Sequence, residues 1–108
     1  MAITSTQENG DGIVHIANGN YITSDTAAAF DITCGFTPRY VRVCNETSGD
    51  MYEWFNGMAS AEALKQVAAG TRSIITTLGI TPLTAGFTVG LDTDVNVINE
   101  QLSWLALG

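Results

Sequence analysis

The chain reads as all-β: a single-domain β-sandwich or jelly roll of about seven to eight short antiparallel strands. Three observations lead there. Short runs rich in Val, Ile, Tyr, Phe, Trp and Thr recur along the chain, and several alternate apolar with polar residues. Gly, Asn, Asp and Pro separate these runs at short intervals. No long amphipathic helical pattern interrupts the series. With 108 residues the chain is long enough for one domain with its own core.

Taken in order, Met1 to Asp11 is polar and ends in Asn9-Gly10-Asp11-Gly12, so residues 1–11 are expected to form a flexible arm ahead of a domain over 12–108. Gly12 to Ala17 is the first strand candidate. Asn18-Gly19-Asn20 then reads as a hairpin turn, with Tyr21-Ile22-Thr23 as its return. Ser24-Asp25-Thr26 is a second turn candidate. Phe30, Ile32 and Cys34 alternate with Asp31 and Thr33, the pattern of a half-buried strand. Gly35 to Pro38 changes direction, because Gly permits positive φ and Pro38 holds Thr37 extended.

Arg39 to Asn45 is the strongest strand, Glu46 to Asp50 is a turn, and Met51 to Phe55 returns. The register of this hairpin can be argued. Pairing Cys44 with Met51 sets Val43 opposite Tyr52, Arg42 opposite Glu53, Val41 opposite Trp54 and Tyr40 opposite Phe55. Val41, Val43, Tyr52 and Trp54 then share one apolar face. A one-residue slip would set Arg42 against Trp54 and Val43 against Glu53, which is worse on both faces. In the favoured register an Arg42–Glu53 cross-strand pair contributes about 0.2–1 kcal/mol. Tyr40, Cys44, Met51 and Phe55 surround that pair, although a sheet with one wet face shows polar residues there. Cover for this second face comes either from another layer of the same chain or from another chain. Tyr40, Arg42, Met51, Glu53 and Phe55 are therefore the candidate protein-interface residues.

After Asn56-Gly57, the segment Met58 to Gly70 has helical propensities, with Ser60 as an N-cap and Gly70 as a stop. Its apolar part, Ala63 to Val67, is short and precedes a turn and a clear strand over Thr71 to Thr77. A strand and hairpin is the favoured reading. Leu78 to Ala85 contains Gly79 and Pro82 and reads as a loop or edge piece. Gly86 to Gly90 is a short strand, and Leu91 to Glu100 a polar stretch with room for one helical turn after Thr93. Gln101 to Leu107 is apolar on both faces, so it is expected to be a central strand.

Composition narrows the function classes. Charged residues make up 14% of the chain, against about 25% in a typical soluble domain. Few charges are left to keep a small surface wet, so Thr, Ser, Asn and Gly or partner chains must do that work. Eleven acids face only Arg39, Arg42, Lys65 and Arg72, for a net charge of −7. Four scattered cations cannot neutralise a run of phosphates, which argues against nucleic acid as partner, and an anionic membrane surface would repel the chain. No basic start and apolar run mark a signal peptide at Met1. Cys34 and Cys44 form no CxxC and have no His nearby; a disulfide between them is conceivable, and free, half-buried thiols of a chain made in a reducing cytoplasm are the favoured reading.

No catalytic, cofactor or small-molecule constellation stands out. The one histidine, His15, reads as a packed or edge residue. Asp92-Thr93-Asp94-Val95-Asn96 has the opening spacing of a calcium loop, but Val97 stands where Gly is needed and Ser103 where the bidentate Glu belongs, so a polar turn is expected. Asn45-Glu46-Thr47 matches a glycosylation sequon without a secretory context. Tyr52 and Trp54 form either a sugar-stacking platform, as in carbohydrate-binding modules, or part of the core, and core is favoured.

Gly35-Phe36-Thr37-Pro38-Arg39-Tyr40-Val41, Asn45-Glu46-Thr47 and Tyr52-Glu53-Trp54-Phe55-Asn56-Gly57-Met58 together resemble small structural proteins of tailed-bacteriophage virions. Gly79-Ile80-Thr81-Pro82, Gly86-Phe87-Thr88-Val89-Gly90 and the closing strand with Trp104 are similar too, so the resemblance spans about residues 28–107. It implies a non-enzymatic capsid decoration or cement protein on the head exterior. The implied partners are the major capsid protein and copies of itself, as a dimer or trimer. A tail, baseplate or fibre component shares that fold and composition and is the alternative, with a carbohydrate-binding module behind it.

Overall fold

The computed structural model describes residues 15–22 and 27–108; the expected arm, the start of the first strand candidate and the Ser24-Asp25-Thr26 turn lie outside them. The described residues form β1 (Ile16–Ile22), β2 (Phe30–Thr33), β3 (Tyr40–Asn45), β4 (Met51–Phe55), β5 (Glu62–Gln66), β6 (Arg72–Leu83), β7 (Gly86–Val89) and β8 (Gln101–Leu107). The all-β reading and the strand count hold. The layering differs. Instead of two packed sheets, the strands make one antiparallel sheet in the order β1-β8-β3-β4-β5-β6-β7-β2.

A lone sheet must bury its apolar face against something, and this one curls onto itself. Phe87 in β7 packs edge-on against Trp104 in β8, with centroids 5.5 Å apart, although four strands lie between them in the sheet order. At the sheet's two edges, Tyr21 of β1 meets Phe30 of β2 at 4.2 Å. The concave side holds the core of Val41, Val43, Tyr52, Trp54, Ala63, Ile80, Phe87, Val89, Leu102 and Ala106, with Val95 entering from the loop before β8. The β3–β4 register is the one the hydrophobic pattern selects, from Tyr40↔Phe55 to Cys44↔Met51. β8 is central, between β1 and β3, as its two apolar faces require. Residues 62–66 are strand rather than helix, and Gly70 (φ 98°) serves the turn into β6.

One expectation fails and a second holds only in part, for a shared reason: a glycine sits in a strand because another group comes close. Asn18-Gly19-Asn20 is no hairpin. β1 runs straight through it, paired with β8 from Ile16↔Leu107 to Ile22↔Gln101. A Cβ on Gly19 would lie 2.9 Å from the Trp104 indole nitrogen, so the missing side chain makes room for the ring. Leu78 to Ala85 is strand rather than loop up to Leu83, and past Ile80 it pairs with β7 alone, as the edge-piece alternative has it. β6 pairs with β5 as far as Ile75↔Ala63, shifts register, and resumes at Ile80↔Glu62 before pairing with β7. Leu78 adopts a φ of 64° in this bulge, and its carbonyl accepts the Tyr52 hydroxyl at 2.8 Å. A Cβ on Gly79 would lie 2.5 Å from the Glu62 carbonyl oxygen. Pro82 is tolerated because the β5 pairing has ended before it.

The loop from Leu91 to Glu100 carries one helix-like bond, Asn96 N–H to the Asp92 carbonyl at 2.9 Å, and no helix. Among the described residues no helix is long and apolar enough to cross a membrane.

Two substitutions test this packing. Gly19→Ala is expected to lower unfolding stability by about 1–3 kcal/mol through overpacking against Trp104, read by chemical denaturation; an unchanged midpoint would contradict the close approach. Tyr21 has a buried hydroxyl with no hydrogen-bond partner among the described residues, so Tyr21→Phe is expected to be neutral or stabilising by about 1 kcal/mol. A clear loss of stability would show that the hydroxyl is satisfied in solution.

Candidate functional site

Side chains directly opposite in a sheet share a face, so the pairings build the outer surface strand by strand. One row reads Ile16, Leu107, Tyr40, Phe55. The next reads Asn18, Leu105, Arg42, Glu53, Leu64, Ile74. The third reads Asn20, Ser103, Cys44, Met51, Gln66, Arg72. All five candidate interface residues lie together on these rows, on β3 and β4.

The face is apolar for a surface. Ile16 is 62% exposed, Ile74 56% and Phe55 45%, while Leu105, Leu107, Leu64 and Met51 are half-buried. No other part of the described chain lies over it as a second sheet layer. The three rows carry two cations, Arg42 and Arg72, and of the acids among the described residues only Glu53.

The charged centre differs in detail from the expected Arg42–Glu53 pair. The two residues are opposite, but Glu53 Oε2 accepts the Tyr40 hydroxyl at 2.7 Å, and Arg42 extends its guanidinium to Met51 Sδ at 3.9 Å. Tyr40 also packs on Phe55 with ring centroids 5.3 Å apart. Partial burial, then the Glu53 hydrogen bond and charge, push the Tyr40 phenol up to about 12, with Arg42 pulling the other way. A shallow, open depression lies between Arg42, Cys44, Ser103 and Leu105.

The remaining sequence candidates resolve into structural roles. Tyr52 and Trp54 are 0% and 3% exposed, so they form no sugar platform; the Trp54 indole N–H donates to the Ala59 carbonyl at 3.2 Å. His15 stacks on Phe36, with centroids 5.4 Å apart, and continues the β1–β8 ladder by exchanging backbone bonds with Gly108. Cys34 and Cys44 are free, half-buried thiols.

The DxDxN stretch is a turn that binds a cation of the chain's own. Lys65 Nζ lies 3.0 Å from Asp92 and 2.6 Å from Asp94, and the Asp94 N–H donates back to Asp92 Oδ1. Among the described residues no group of three or more His, Cys, Asp or Glu is placed to hold a metal.

The residue that sequence reasoning missed is Asn45. It is fully buried, so the sequon nitrogen is inaccessible. Its Nδ2 donates to the Val95 carbonyl (2.9 Å) and Glu100 Oε1 (2.8 Å), while Oδ1 accepts the Thr47 and Ser48 N–H groups. An Asn ending a strong strand and opening a turn is the signal that could have marked it.

No family model matches the chain, and neither a curated protein nor a solved structure matches it.

The Lys65 clasp has a definite pH signature. Burial pulls its ammonium down, but the hydrogen bonds and charges of Asp94 and Asp92 more than offset this, and the net shift is upward from 10.5. A raised folded value means the contribution is fully present below 10.5 and is lost as pH rises through the folded value. Lys65→Met is expected to cost about 2–3 kcal/mol at neutral pH, since it leaves the enclosed Asp92 without its partner. In denaturation curves the gap between wild type and variant should close above pH 10.5. A gap that is constant with pH would show that packing of the alkyl stem, not the charge, is what Lys65 supplies.

Proposed function

We propose that this chain is a non-enzymatic structural protein of a tailed-phage virion, a decoration or cement protein on the outside of the head. The observation that carries the reading is the outer face of β8, β3 and β4, where Tyr40, Phe55, Leu105 and Leu107 surround Arg42 and Glu53 and no second layer of the described residues covers them. Aromatic residues and arginine are the side chains enriched in protein–protein contacts, and a sheet face with few charges desolvates at low cost. The resemblance of the 35–41, 45–47 and 52–58 motifs to small virion proteins supports the same reading. Its partners are the major capsid protein and further copies of this chain.

Such a role needs no strong single contact. Copies repeated around a shell add their modest affinities through avidity, and binding that favours the assembled shell over its parts raises the stability of the shell.

A cryo-EM map of the virion tests the proposal, with density for this chain expected on the head exterior. Density confined to the tail assigns the chain to the tail or baseplate, and absence from the virion overturns the reading. The face is tested separately by Arg42→Glu and Phe55→Asp. Both sites are exposed, so thermal stability should hold while binding to heads falls about tenfold or more. Full binding by both variants would show that another surface docks.

A further inference from the structure

Two Asn-Gly pairs lie in the described residues, and the fold places them in opposite environments. Asn18-Gly19 is inside β1, opposite Leu105 and Trp104, with the Gly19 backbone packed under the indole. Asn56-Gly57 is the exposed turn between β4 and β5. That turn is closed by Met58 N–H to the Phe55 carbonyl at 2.9 Å and by Asn56 N–H to the Arg39 carbonyl at 2.7 Å, and neither bond uses the Gly57 N–H. Gly57 has a φ of 119° and open space where a side chain would project.

We propose that Asn56 is a site of spontaneous, structure-gated deamidation, and that Asn18 is protected from the same reaction by its strand. The Gly57 backbone nitrogen attacks the Asn56 side-chain carbonyl carbon. A nitrogen–Cγ bond forms, the Cγ–Nδ2 bond breaks, and Nδ2 leaves as ammonia with the proton from the Gly57 nitrogen. Water then opens the cyclic imide at either carbonyl. Opening at Cγ gives aspartate, and opening at the Asn56 main-chain carbonyl gives isoaspartate, with the backbone rerouted through the side chain. The reaction needs no oxidant, reductant or second protein, only water.

Geometry decides the difference between the two sites. Ring closure requires the backbone after the asparagine to rotate and its nitrogen to approach the side chain. Gly57 is free of packing on the side where a side chain would be, so this motion displaces nothing. At Gly19 the same motion must break the ladder to β8 and push against Trp104, so it requires local unfolding of an edge strand. The product places a new carboxylate next to Phe55 in the chain, where the Asn56 N–H meets the Arg39 carbonyl, on a chain already at net charge −7. The proposal does not rest on the virion role.

The test is peptide mapping by mass spectrometry on the intact chain, aged at mildly alkaline pH in native buffer and, in parallel, in denaturant. In the folded protein the Asn56 peptide is expected to convert about tenfold or more faster than the Asn18 peptide, because only the latter needs local opening. In denaturant the two rates should converge. Gly57→Ala should slow conversion at Asn56 alone. The proposal is overturned if Asn18 keeps pace with Asn56 in the folded chain, or if folded Asn56 stays an amide while the unfolded chain converts.

Discussion

The structure depends on one constraint: a single sheet has two faces, and only one can be buried by the sheet itself. With no helix and no second sheet among the described residues, the apolar side chains of β3, β4, β7 and β8 can leave water only if the sheet folds over. The Phe87–Trp104 contact is where that closure is made, and it dictates the glycine beneath the ring at position 19. The Tyr21–Phe30 contact brings the edges together at the other side of the curl. Closure also reduces the hazard of open edges, because two strands that would otherwise template aggregation now lie near each other.

A curled sheet leaves its ends open, and the loop before β8 fills one of them. Val95 is fully buried there, and its carbonyl is held by Asn45. Asn96 donates to the Ala28 and Gly90 carbonyls, tying the loop to the start of β2 and the end of β7. Lys65 adds a tether from β5 to Asp92 and Asp94. Buried polar groups cost stability unless satisfied, and these three side chains are satisfied by backbone carbonyls or carboxylates. The polar letters of the 92–96 stretch, which mimic a metal loop, therefore act as the clamp that seats an apolar plug.

Much of this was legible in the sequence, and the reason is local. The β3–β4 register followed from Val41, Val43, Tyr52 and Trp54, because period-two patterning and a short turn leave one acceptable pairing. The centrality of β8 followed from two apolar faces. What failed was everything set by distant groups. Gly19 reads as a turn residue until Trp104, far along the chain, is seen to need its space. Gly79 and Pro82 read as strand breakers until the β6 bulge shows where β5 stops. Sheet against sandwich is decided by which strands pair across the whole chain, and short strands with generic turns do not encode that in any local pattern. The candidate face was legible in part: its five residues were placed together correctly, while its extension onto β8, β5 and β1 needed the strand order.

The distribution of charge gives that face its meaning. Of the four cations, Lys65 is consumed internally by Asp92 and Asp94, so it offers nothing to a partner. Arg42 and Arg72 lie on the outer rows, which hold a single acid. Among the described residues the other acids, Asp31, Glu46, Asp50, Glu62, Asp92, Asp94 and Glu100, lie off these rows. Copies of a chain at −7 repel each other at long range, but this repulsion is screened over about 8 Å at physiological ionic strength. The face proposed above to dock carries only one of the acids among the described residues, so at contact distance its local chemistry counts for more than the net charge. On the outer rows that local chemistry is aliphatic and aromatic, centred on one arginine and one glutamate already oriented by Met51 and Tyr40. The same curl that buries the concave core leaves this convex face without a second layer among the described residues, and composition has kept it nearly neutral.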